Sequence, residues 1–281
     1  MSDNSKDVLI FTDLSVVGGC SASSMSNILA TLGHSAHILP TAILSTHTLG
    51  FGKPAIINID SFLAEAVEHY RVQNLRFDAV CIGWLGGNGT RDICLKLLQN
   101  NQNAFVMLDT VMADNGKLYS NFDKGAVDIM LDLCKYADLI TPNLTEALLL
   151  LGEPVTEQII GEPVTVEQIG QIADRLSRLC KGMVVVKGVN IADEGRCNAC
   201  FDRAKNSLNI VKYEQIDVSF PGTGDIFSAV LVGKLLGGGS LFDAVKASTE
   251  FMSYVVKYSV DNNSEVRFGV KLEKCLDKLK I

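Results

Sequence analysis

The chain has 281 residues, of which 47% are apolar and 20% charged, and its 25 Lys and Arg against 32 Asp and Glu give a formal net charge of −7. This length and apolar content suffice for a large buried core, so we exclude disorder or a coiled coil as descriptions of the whole chain. Lys and Arg are not clustered, and because nucleic-acid phosphates are bound by concentrated positive charge, we also exclude a nucleic-acid-binding surface.

Short apolar runs alternate along the chain with longer amphipathic stretches. The runs predict buried strands at Val8 to Thr12, Ala36 to Leu44, Ala79 to Ile82, Ala104 to Leu108, Leu139 to Thr141 and Met183 to Lys187. The amphipathic stretches predict helices at Ser21 to Leu32, Ser61 to Val72, Thr90 to Leu98, Ala126 to Tyr136, Leu144 to Leu151 and Val166 to Leu179. This alternation is typical of an α/β protein, in which helices cover both faces of a mostly parallel sheet.

The C-terminal third follows a different pattern. It predicts a hairpin around Arg196 to Lys212 and then helices at Asp225 to Leu236, Leu241 to Tyr258 and Leu272 to Leu279. No Pro- or Ser-rich linker and no abrupt change of composition divides the chain. We therefore predict a single domain over residues 1–281.

Eight cysteines are scattered along the sequence, which argues against a disulfide framework. The N-terminal segment lacks the apolar core of a signal peptide, and there is no apolar run of the length of about 18 residues that a membrane span requires. We therefore expect a cytoplasmic protein. For the one close pair, Cys197 and Cys200, we favour ordinary thiols on a surface hairpin over half of a redox or metal site.

Two glycine-containing segments are interpreted as structural. GEPVTEQII from Gly152 is followed directly by GEPVTVEQI from Gly161, which we interpret as a duplicated loop before a helix capped near Thr165. GKLLGGG, from Gly233 to Gly239, follows a long predicted helix and has no hydroxyl side chain after its Lys. It therefore predicts a helix stop and not a phosphate-binding loop.

The segment FPGTGDIFSA carries the strongest functional signal. Its two glycines permit a tight turn, and the helix that follows directs free backbone N–H groups to the space above Gly222, Thr223 and Gly224, which favours binding of an anion. Asp225 is either a first-turn carboxylate that stabilises its own helix or a catalytic group, and the residues alone leave both open. The Walker loop GxxxxGK[ST] and the protein-kinase motifs are absent.

The set of motifs resembles the ribokinase-like superfamily of small-molecule kinases. GTGD, the segment ITPNLTEA from Ile140, DTVM from Asp109 and VKG from Val186 follow that superfamily's order over nearly the whole chain. The resemblance implies a three-layer α/β sandwich, with a mostly parallel central sheet, helices on both faces and a small lid or none. It also implies ATP and Mg²⁺ as cofactors, and it leaves open a monovalent cation such as K⁺.

Within this superfamily the sequence is most similar to the vitamin B6 kinases. Ser15 after the first strand, STHTLG from Ser45 and IGWLG from Ile82 match the pattern of pyridoxal kinases, which usually have Tyr where this chain has Trp84. Either ring can wall a pyridine. Thr110 in DTVM replaces the common Pro of pyridoxal kinases and resembles the hydroxymethylpyrimidine kinases of thiamine synthesis, which remain the alternative.

The resemblance implies roles in phosphoryl transfer, a reaction that depends mainly on positioning and on charge neutralisation. Asp225 is similar to the base that takes the proton of the acceptor hydroxymethyl group. The backbone of Gly222, Thr223 and Gly224 is similar to the anion hole for the transferred phosphate. The implied nucleotide-site residues are Asp109, Thr141, Glu146 and Lys187, of which Asp109 and Glu146 would hold Mg²⁺ mostly through water.

Each charged residue of this nucleotide site also has a structural interpretation. Glu146 could be a first-turn helix acid and Asn143 a cap of the same helix. Asp109 could form a turn, and Lys187 could simply emerge into solvent at the end of its strand.

On the acceptor side, the resemblance implies that Ser15 and Thr48 hydrogen-bond the pyridine ring nitrogen and the ring substituents. Val17, Phe51 and Trp84 would form the walls of the pocket. His47 adjoins Thr48, but a lone His is most often a satisfied structural residue, so we leave it out of the catalytic set.

We therefore predict ATP-dependent phosphorylation of the 5′-hydroxymethyl group of pyridoxal, pyridoxine or pyridoxamine. The first alternative is a hydroxymethylpyrimidine (phosphate) kinase. The second is a non-catalytic B6-binding relative, which the joint presence of Asp225, Glu146 and Lys187 disfavours. The resemblance also implies a homodimer, with small-molecule ligands and with neither nucleic acid nor membrane as a partner.

Overall fold

The computed structural model describes residues 5–87, 89–119, 122 and 125–280. The strands are β1 (Asp7–Phe11), β2 (Leu14–Val17), β3 (Ser35–Ile38), β4 (Ala42–Thr46), β5 (Ile56–Asn58), β6 (Ala79–Ile82), β7 (Phe105–Leu108), β8 (Ala113–Asp114), β9 (Lys117–Leu118), β10 (Leu139–Ile140), β11 (Met183–Ile191), β12 (Gly195–Asp202) and β13 (Ser207–Lys212). The helices are α1 (Ser21–Thr31), α2 (Asp60–Val72), α3 (Thr90–Asn100), α4 (Gly125–Cys134), α5 (Leu144–Leu150), α6 (Glu157–Gly161), α7 (Val166–Ser177), α8 (Thr223–Leu236) and α9 (Leu241–Asp261). Most of the predicted elements are confirmed within a few residues at each end.

The central sheet has eight strands in the order β13-β12-β11-β10-β7-β6-β1-β3. Neighbours from β11 to β3 pair in parallel. The predicted hairpin is confirmed as β12 and β13, which add to the sheet in antiparallel pairing. Because parallel strands end at the same edge, the loops after β1, β6, β7 and β10 lie side by side, next to the middle of the longer β11.

Apolar side chains fill both faces of this sheet. Along β1, Leu9 and Phe11 belong to one core while Val8 and Ile10 belong to the other, as the two-residue period of a strand requires. The first core is covered by α2, α3, α4, α5 and α7, and the second by α1, α8 and α9. Within the described residues, no helix is both long and apolar enough to cross a membrane.

The prediction of one strand over Ala36 to Leu44 is wrong. The run divides at Pro40, whose missing N–H cannot donate to a neighbouring strand. β3 before it joins the central sheet, whereas β4 after it pairs with β2 and β5 in a separate three-stranded sheet. β2 and β5 were not predicted because they are short and expose most of their side chains.

The interpretations of the repeat and of the glycine-rich segment agree with the structure. Thr165 caps α7 in a capping box with Gln168, and the first copy of the repeat leads into the short α6, which Thr156 caps. The segment from Gly233 contains the end of α8, with Gly237 at the C-cap.

Two further predictions are wrong. Leu272 to Leu279 is not one α-helix but two 3-10 segments, Leu272–Lys274 and Leu276–Lys280, separated at Cys275, where φ is −120°. Cys197 and Cys200 are not surface thiols, since both are buried, on opposite faces of β12. The eight cysteines are all free and buried.

Candidate active site

A cavity of about 880 Å³ opens at the edge where the parallel strands end. Its walls come from the loops after β1, β6, β7 and β10, from β11 and β12, from the segment after β13 and from the N-terminus of α8. This is the edge at which open parallel sheets bind ligands, and the volume lies within the range of small-molecule sites.

The first turn of α8 forms one wall of the cavity. Gly222, its N-cap, has φ of +83°, and a Cβ added there would lie 2.7 Å from Cys20 Cβ, so both conformation and space require glycine. The first intrahelical bond runs from Ile226 N–H to the Gly222 carbonyl. The N–H groups of Thr223, Gly224 and Asp225 precede that bond, and they are therefore available to an anion in the cavity.

Asp225 lines the cavity in this same turn. Its Oδ2 accepts a hydrogen bond of 2.8 Å from the backbone N–H of Ser21 at the start of α1. Burial raises the pKa of Asp225 to about 7, the nearby charge of Asp13 adds to the increase, and the Ser21 N–H and Lys187 oppose it. A carboxyl group with this pKa can accept a proton near neutral pH.

Asp13, which was not predicted from the sequence, also lines the cavity and lies close enough to affect the pKa of Asp225. It directly follows the Thr12 that ends the predicted first strand, and it is 6% exposed. Its Oδ2 accepts a 2.9 Å hydrogen bond from the Ser15 hydroxyl, and its own pKa is raised by burial. Ser15 lines the cavity as expected, but its hydroxyl donates to Asp13. A polar residue at a strand end was the signal that could have identified Asp13.

An ion pair stands beside the α8 N-terminus. Lys187 Nζ lies 2.8 Å and 2.9 Å from the two carboxylate oxygens of Asp109, and the Ser228 hydroxyl donates to Asp109 Oδ2 at 3.0 Å. Burial lowers the pKa of Lys187, but the charges of Asp109 and Glu146 outweigh it and leave that pKa raised. Lys187 therefore stays charged at neutral pH. Ser228 was missed, although its position three residues after Asp225 places both on one helix face.

A β-bulge turns Lys187 toward the cavity. The register of β11 with β12 shifts between Val186 and Val189, and Gly188 within the bulge has φ of +65°. The backbone groups that the bulge frees are bound by side chains of β12. Gly188 N–H donates to Asn198 Oδ1 at 3.0 Å, and Arg196 donates to the Gly188 carbonyl at 2.8 Å.

Glu146 is 3% exposed, and its carboxylate accepts four hydrogen bonds from protein groups. The donors are the Thr110 hydroxyl and the backbone N–H groups of Met112, Ala113 and Asn143, at 3.0 to 3.4 Å. With Asn143 it forms the capping box of α5, so the structural interpretations of both residues hold here. Burial raises the pKa of Glu146 to about 7, against the opposing charge of Lys187.

The two carboxylates expected to hold Mg²⁺ fit that role unequally. Both residues line the cavity, but the four hydrogen bonds that Glu146 accepts occupy all the lone-pair sites of a carboxylate, whereas Asp109 accepts three. Among the described residues, no group of three His, Cys, Asp or Glu side chains is placed to hold a metal ion. These residues would therefore fit only a hydrated Mg²⁺, which Asp109 would hold through the water ligands of the ion.

The expected acceptor-side residues are only partly brought together. Thr48 and Trp84 line the cavity, with Leu44 beside them. Val17 is 41% exposed on β2, and neither it nor Phe51 is among the described lining residues. Both ring nitrogens of His47 are hydrogen-bonded, as its structural interpretation requires.

Thr141, a predicted nucleotide-site residue, does not reach the cavity, whereas Cys20 does. Thr141 is fully buried without lining the cavity, and within the described structure its hydroxyl has no hydrogen-bond partner. Cys20 lines the cavity, but burial and the nearby charge of Asp225 raise its thiol pKa to about 12, so it is not a nucleophile at neutral pH.

The other end of the cavity was not predicted. Beyond Lys187 it is lined by Tyr213, Ile216, Val218, Met252 and Val256, from the segment after β13 and from α9, with polar side chains such as Gln215 and Thr249 among them. Since β1 and β11 are separated by β6, β7 and β10, this end is several strands away from Asp13 and Trp84. The cavity can thus hold two ligands that meet at Asp225.

Comparisons with known proteins agree with this geometry. Residues 27–268 match the model of the family described as phosphomethylpyrimidine kinase. A pyridoxal kinase from Lactobacillus plantarum is 30% identical, with a TM-score of 0.89 over 98% of this chain and 96% of that one. A Bacteroides thetaiotaomicron protein provisionally described as a phosphomethylpyrimidine kinase, crystallised with pyridoxal, is also 30% identical, with a TM-score of 0.90 over 98% and 96%.

A hydroxymethylpyrimidine/phosphomethylpyrimidine kinase from Aquifex aeolicus is 24% identical over 181 residues, which are 64% of this chain and 67% of that protein. Relatives of both expected kinds are thus present. The ribokinase-like fold expected from the sequence is confirmed by the structural neighbours.

Proposed function

The chain belongs to the phosphomethylpyrimidine kinase family, and from this membership we propose that it transfers the γ-phosphoryl group of ATP to the 5′-hydroxymethyl group of a vitamin B6 vitamer. The observation that carries the proposal is the place of Asp225. It lies at the N-terminus of α8, between the Trp84 end and the Lys187 end of one cavity.

The proposed reaction uses Asp225 as the base. Its carboxylate accepts the proton of the hydroxymethyl oxygen as that oxygen bonds to the γ-phosphorus and the bond to the bridging oxygen of ADP breaks. The N–H groups of Thr223 and Gly224 donate to the transferred phosphate, and a well-aimed donor of this kind contributes on the order of 3 kcal/mol. Lys187 neutralises charge on the nucleotide phosphates.

Asp109 would hold Mg²⁺ through its water ligands, and the ion supplies neutralisation of the β- and γ-phosphate charge when bound. Glu146, whose lone-pair sites are filled by protein donors, instead fixes the loop after Asp109 through Met112 and Ala113. The apolar end of the cavity around Ile216 suits the adenine ring.

On the acceptor side, Thr48 is a polar group and Trp84 an aromatic wall, which suit a heteroaromatic ring with polar substituents. Two relatives of 30% identity support a B6 vitamer, because one is a pyridoxal kinase and the other was crystallised with pyridoxal.

The test is to incubate the purified protein with ATP, Mg²⁺ and each of pyridoxal, pyridoxine and pyridoxamine, and to measure the 5′-phosphate by chromatography. Formation of product that D225A abolishes supports the proposal. Product at the background level for every vitamer refutes it, and B6 binding without turnover would identify a non-catalytic binder.

A hydroxymethylpyrimidine kinase is the second candidate. The family model, the Aquifex relative and Thr110 in DTVM favour it. A competition between hydroxymethylpyrimidine and pyridoxal for limiting enzyme separates the two, because the acceptor with the larger kcat/KM is the preferred one.

We also propose a homodimer formed through the three-stranded sheet. Val16 on β2 is 66% exposed and Ile57 on β5 is 61% exposed, and apolar side chains on a sheet surface are stabilised when a partner covers them. Sedimentation equilibrium at micromolar concentration tests this, and a mass near the 30.4 kDa of one chain would contradict it.

A further inference from the structure

The turn at residues 266–269, far along the chain from the catalytic motifs, packs against two loops of the site. Gly269, which closes the turn, has φ of +77°. A Cβ added to it would lie 2.8 Å from the carbonyl oxygen of Gly18 and 3.5 Å from that of Pro221. The turn therefore fits tightly between the loop that leads into α1 and the loop that leads into α8.

The same turn is linked to the loop that carries Thr48. His47 is 7% exposed, and its Nε2 lies 2.7 Å from the carbonyl oxygen of Arg267, while its Nδ1 accepts a hydrogen bond from Leu49 N–H at 3.1 Å. The carbonyl can only accept and the N–H can only donate, so this network assigns the hydrogen to Nε2. Thr48 lies between His47 and Leu49 in the chain, so the hydrogen bond from Leu49 N–H to His47 fixes the backbone on both sides of Thr48.

The Arg267 side chain forms a second link. Its guanidinium carbon lies 5.4 Å from the centre of the Phe51 ring and 5.2 Å from that of Phe268, and its Nε donates to Glu265 at 2.7 Å. Phe51 also packs edge-on against His47, with ring centres 5.1 Å apart. Gly50 allows this approach, because a Cβ there would lie 2.8 Å from Arg267 Cβ.

We propose that the turn at residues 266–269 is a positioning element for the acceptor half of the active site, acting through Arg267 and His47 on Thr48. The inference rests on the proposed function, since it concerns how the acceptor pocket of that kinase is built. It gives Phe51 the role of a support behind the pocket in place of the wall expected from the sequence.

The contacts make a selective prediction. The Arg267 side chain contacts Phe51, Phe268 and Glu265, close to the loop that carries Thr48. None of these contacts involves Lys187 or the end of the cavity beyond it. Loss of the Arg267 side chain is therefore expected to weaken binding of the acceptor and to leave binding of ATP unchanged. Two cation–π contacts at exposed positions correspond to a rise of about 5- to 30-fold in the acceptor KM.

The experiment compares R267A with R71A, a control that removes an exposed Arg paired with Glu68 on α2. KM is measured separately for the acceptor and for ATP. Acceptor affinity without turnover is measured from the fluorescence of Trp84, the one Trp in the chain, which lines the cavity. We expect both the acceptor KM and the acceptor Kd to rise in R267A alone, with KM for ATP unchanged in both variants.

Two His47 variants separate positioning from general support of the fold. H47Q keeps an amide N–H near the position of Nε2 and can still donate to the Arg267 carbonyl, whereas H47N keeps only an acceptor near Nδ1. The proposal predicts an acceptor KM close to the wild-type value in H47Q and raised as in R267A in H47N.

Equal acceptor KM in R267A and R71A would overturn the inference, as would a rise in both KM values together or a larger defect in H47Q than in H47N. These results are distinct from failure of the proposed function. In that case the wild-type protein itself would neither phosphorylate a heteroaromatic alcohol nor change its Trp84 fluorescence on adding one.

Discussion

Replacement of Asp225 by Asn is expected to stabilise the folded protein while it removes catalysis. Asn has nearly the same shape and can still accept the hydrogen bond from Ser21 N–H, but it carries no charge. Burial and Asp13 raise the pKa of Asp225 from 3.8 to about 7, so the folded protein holds this proton more tightly than the unfolded chain does. Ionisation of Asp225 therefore opposes folding.

The size and pH dependence of this effect follow from linkage. Each tenfold difference in proton affinity is about 1.4 kcal/mol, so the ionised carboxylate destabilises the folded state by about 4 kcal/mol above pH 7. Below the unfolded pKa both states are protonated and the penalty disappears, and at pH 4.5 it is about 1 kcal/mol. The gain in D225N should therefore grow as pH rises from about 4 to 7 and then stay constant.

Urea denaturation of wild type and D225N at pH 4.5 and pH 8 measures the difference in free energy of unfolding. D243N is the matched control, because Asp243 is an exposed first-turn carboxylate of α9 outside the cavity, and its loss should leave stability unchanged or slightly lower. Turnover of D225N should fall by about 100-fold or more. A D225N protein no more stable than wild type at pH 8, or equally stabilised at both pH values, would refute the reasoning.

Further predictions concern the same site. The kcat/KM for the acceptor should fall below about pH 7 with a slope of one, because protonated Asp225 cannot act as a base; a flat profile from pH 6 to 8 would contradict that role. T110V removes the hydroxyl donor to buried Glu146 and should cost about 1 to 3 kcal/mol in urea denaturation, whereas T110S keeps the donor and should lose only the contribution of one buried methyl group, about 1 kcal/mol or less. G222A should lose most turnover and stability, while G238A, with φ of +92° but open space around it, should cost only about 1 kcal/mol. ATP should bind at least about tenfold more weakly in EDTA than with Mg²⁺ in calorimetry, and equal affinity would argue against an assisting cation.

The sequence predicted the central sheet well because its strands are continuous apolar runs between turn residues. It did not predict the three-stranded sheet of β2, β4 and β5, because local patterns do not show which strands pair. The strand pattern of Ala36 to Leu44 gives no indication that the two sides of Pro40 pair with different partners, since pairing depends on residues distant in the chain. β5 has three exposed residues and no apolar period to recognise.

The sequence predicted the parts of the site that lie in one contiguous segment. It did not predict the parts that are assembled from residues far apart in the chain. The helix N-terminus with Asp225 is one contiguous segment, so its geometry follows from its own residues. By contrast, the donor to Asp225 is the N–H of Ser21, 204 residues away. The protein donors that fill the Glu146 carboxylate include Thr110 and Met112, which lie 36 and 34 residues away. Sequence motifs can identify a carboxylate, but its free lone pairs depend on such distant donors.

The charges at the cavity indicate how a protein with a net charge of −7 could bind a triphosphate. Asp13, Asp109 and Asp225 line the cavity, Lys187 pairs with Asp109, and the charges of Asp13 and Asp109 contribute to the raised pKa of Asp225. Overall charge would repel ATP. Attraction must therefore be local, from the N-terminus of α8, Lys187 and a cation recruited by the acids themselves. In the proposed kinase, the negative charge that adds to the effect of burial on the pKa of Asp225 would also make ATP binding depend on that cation.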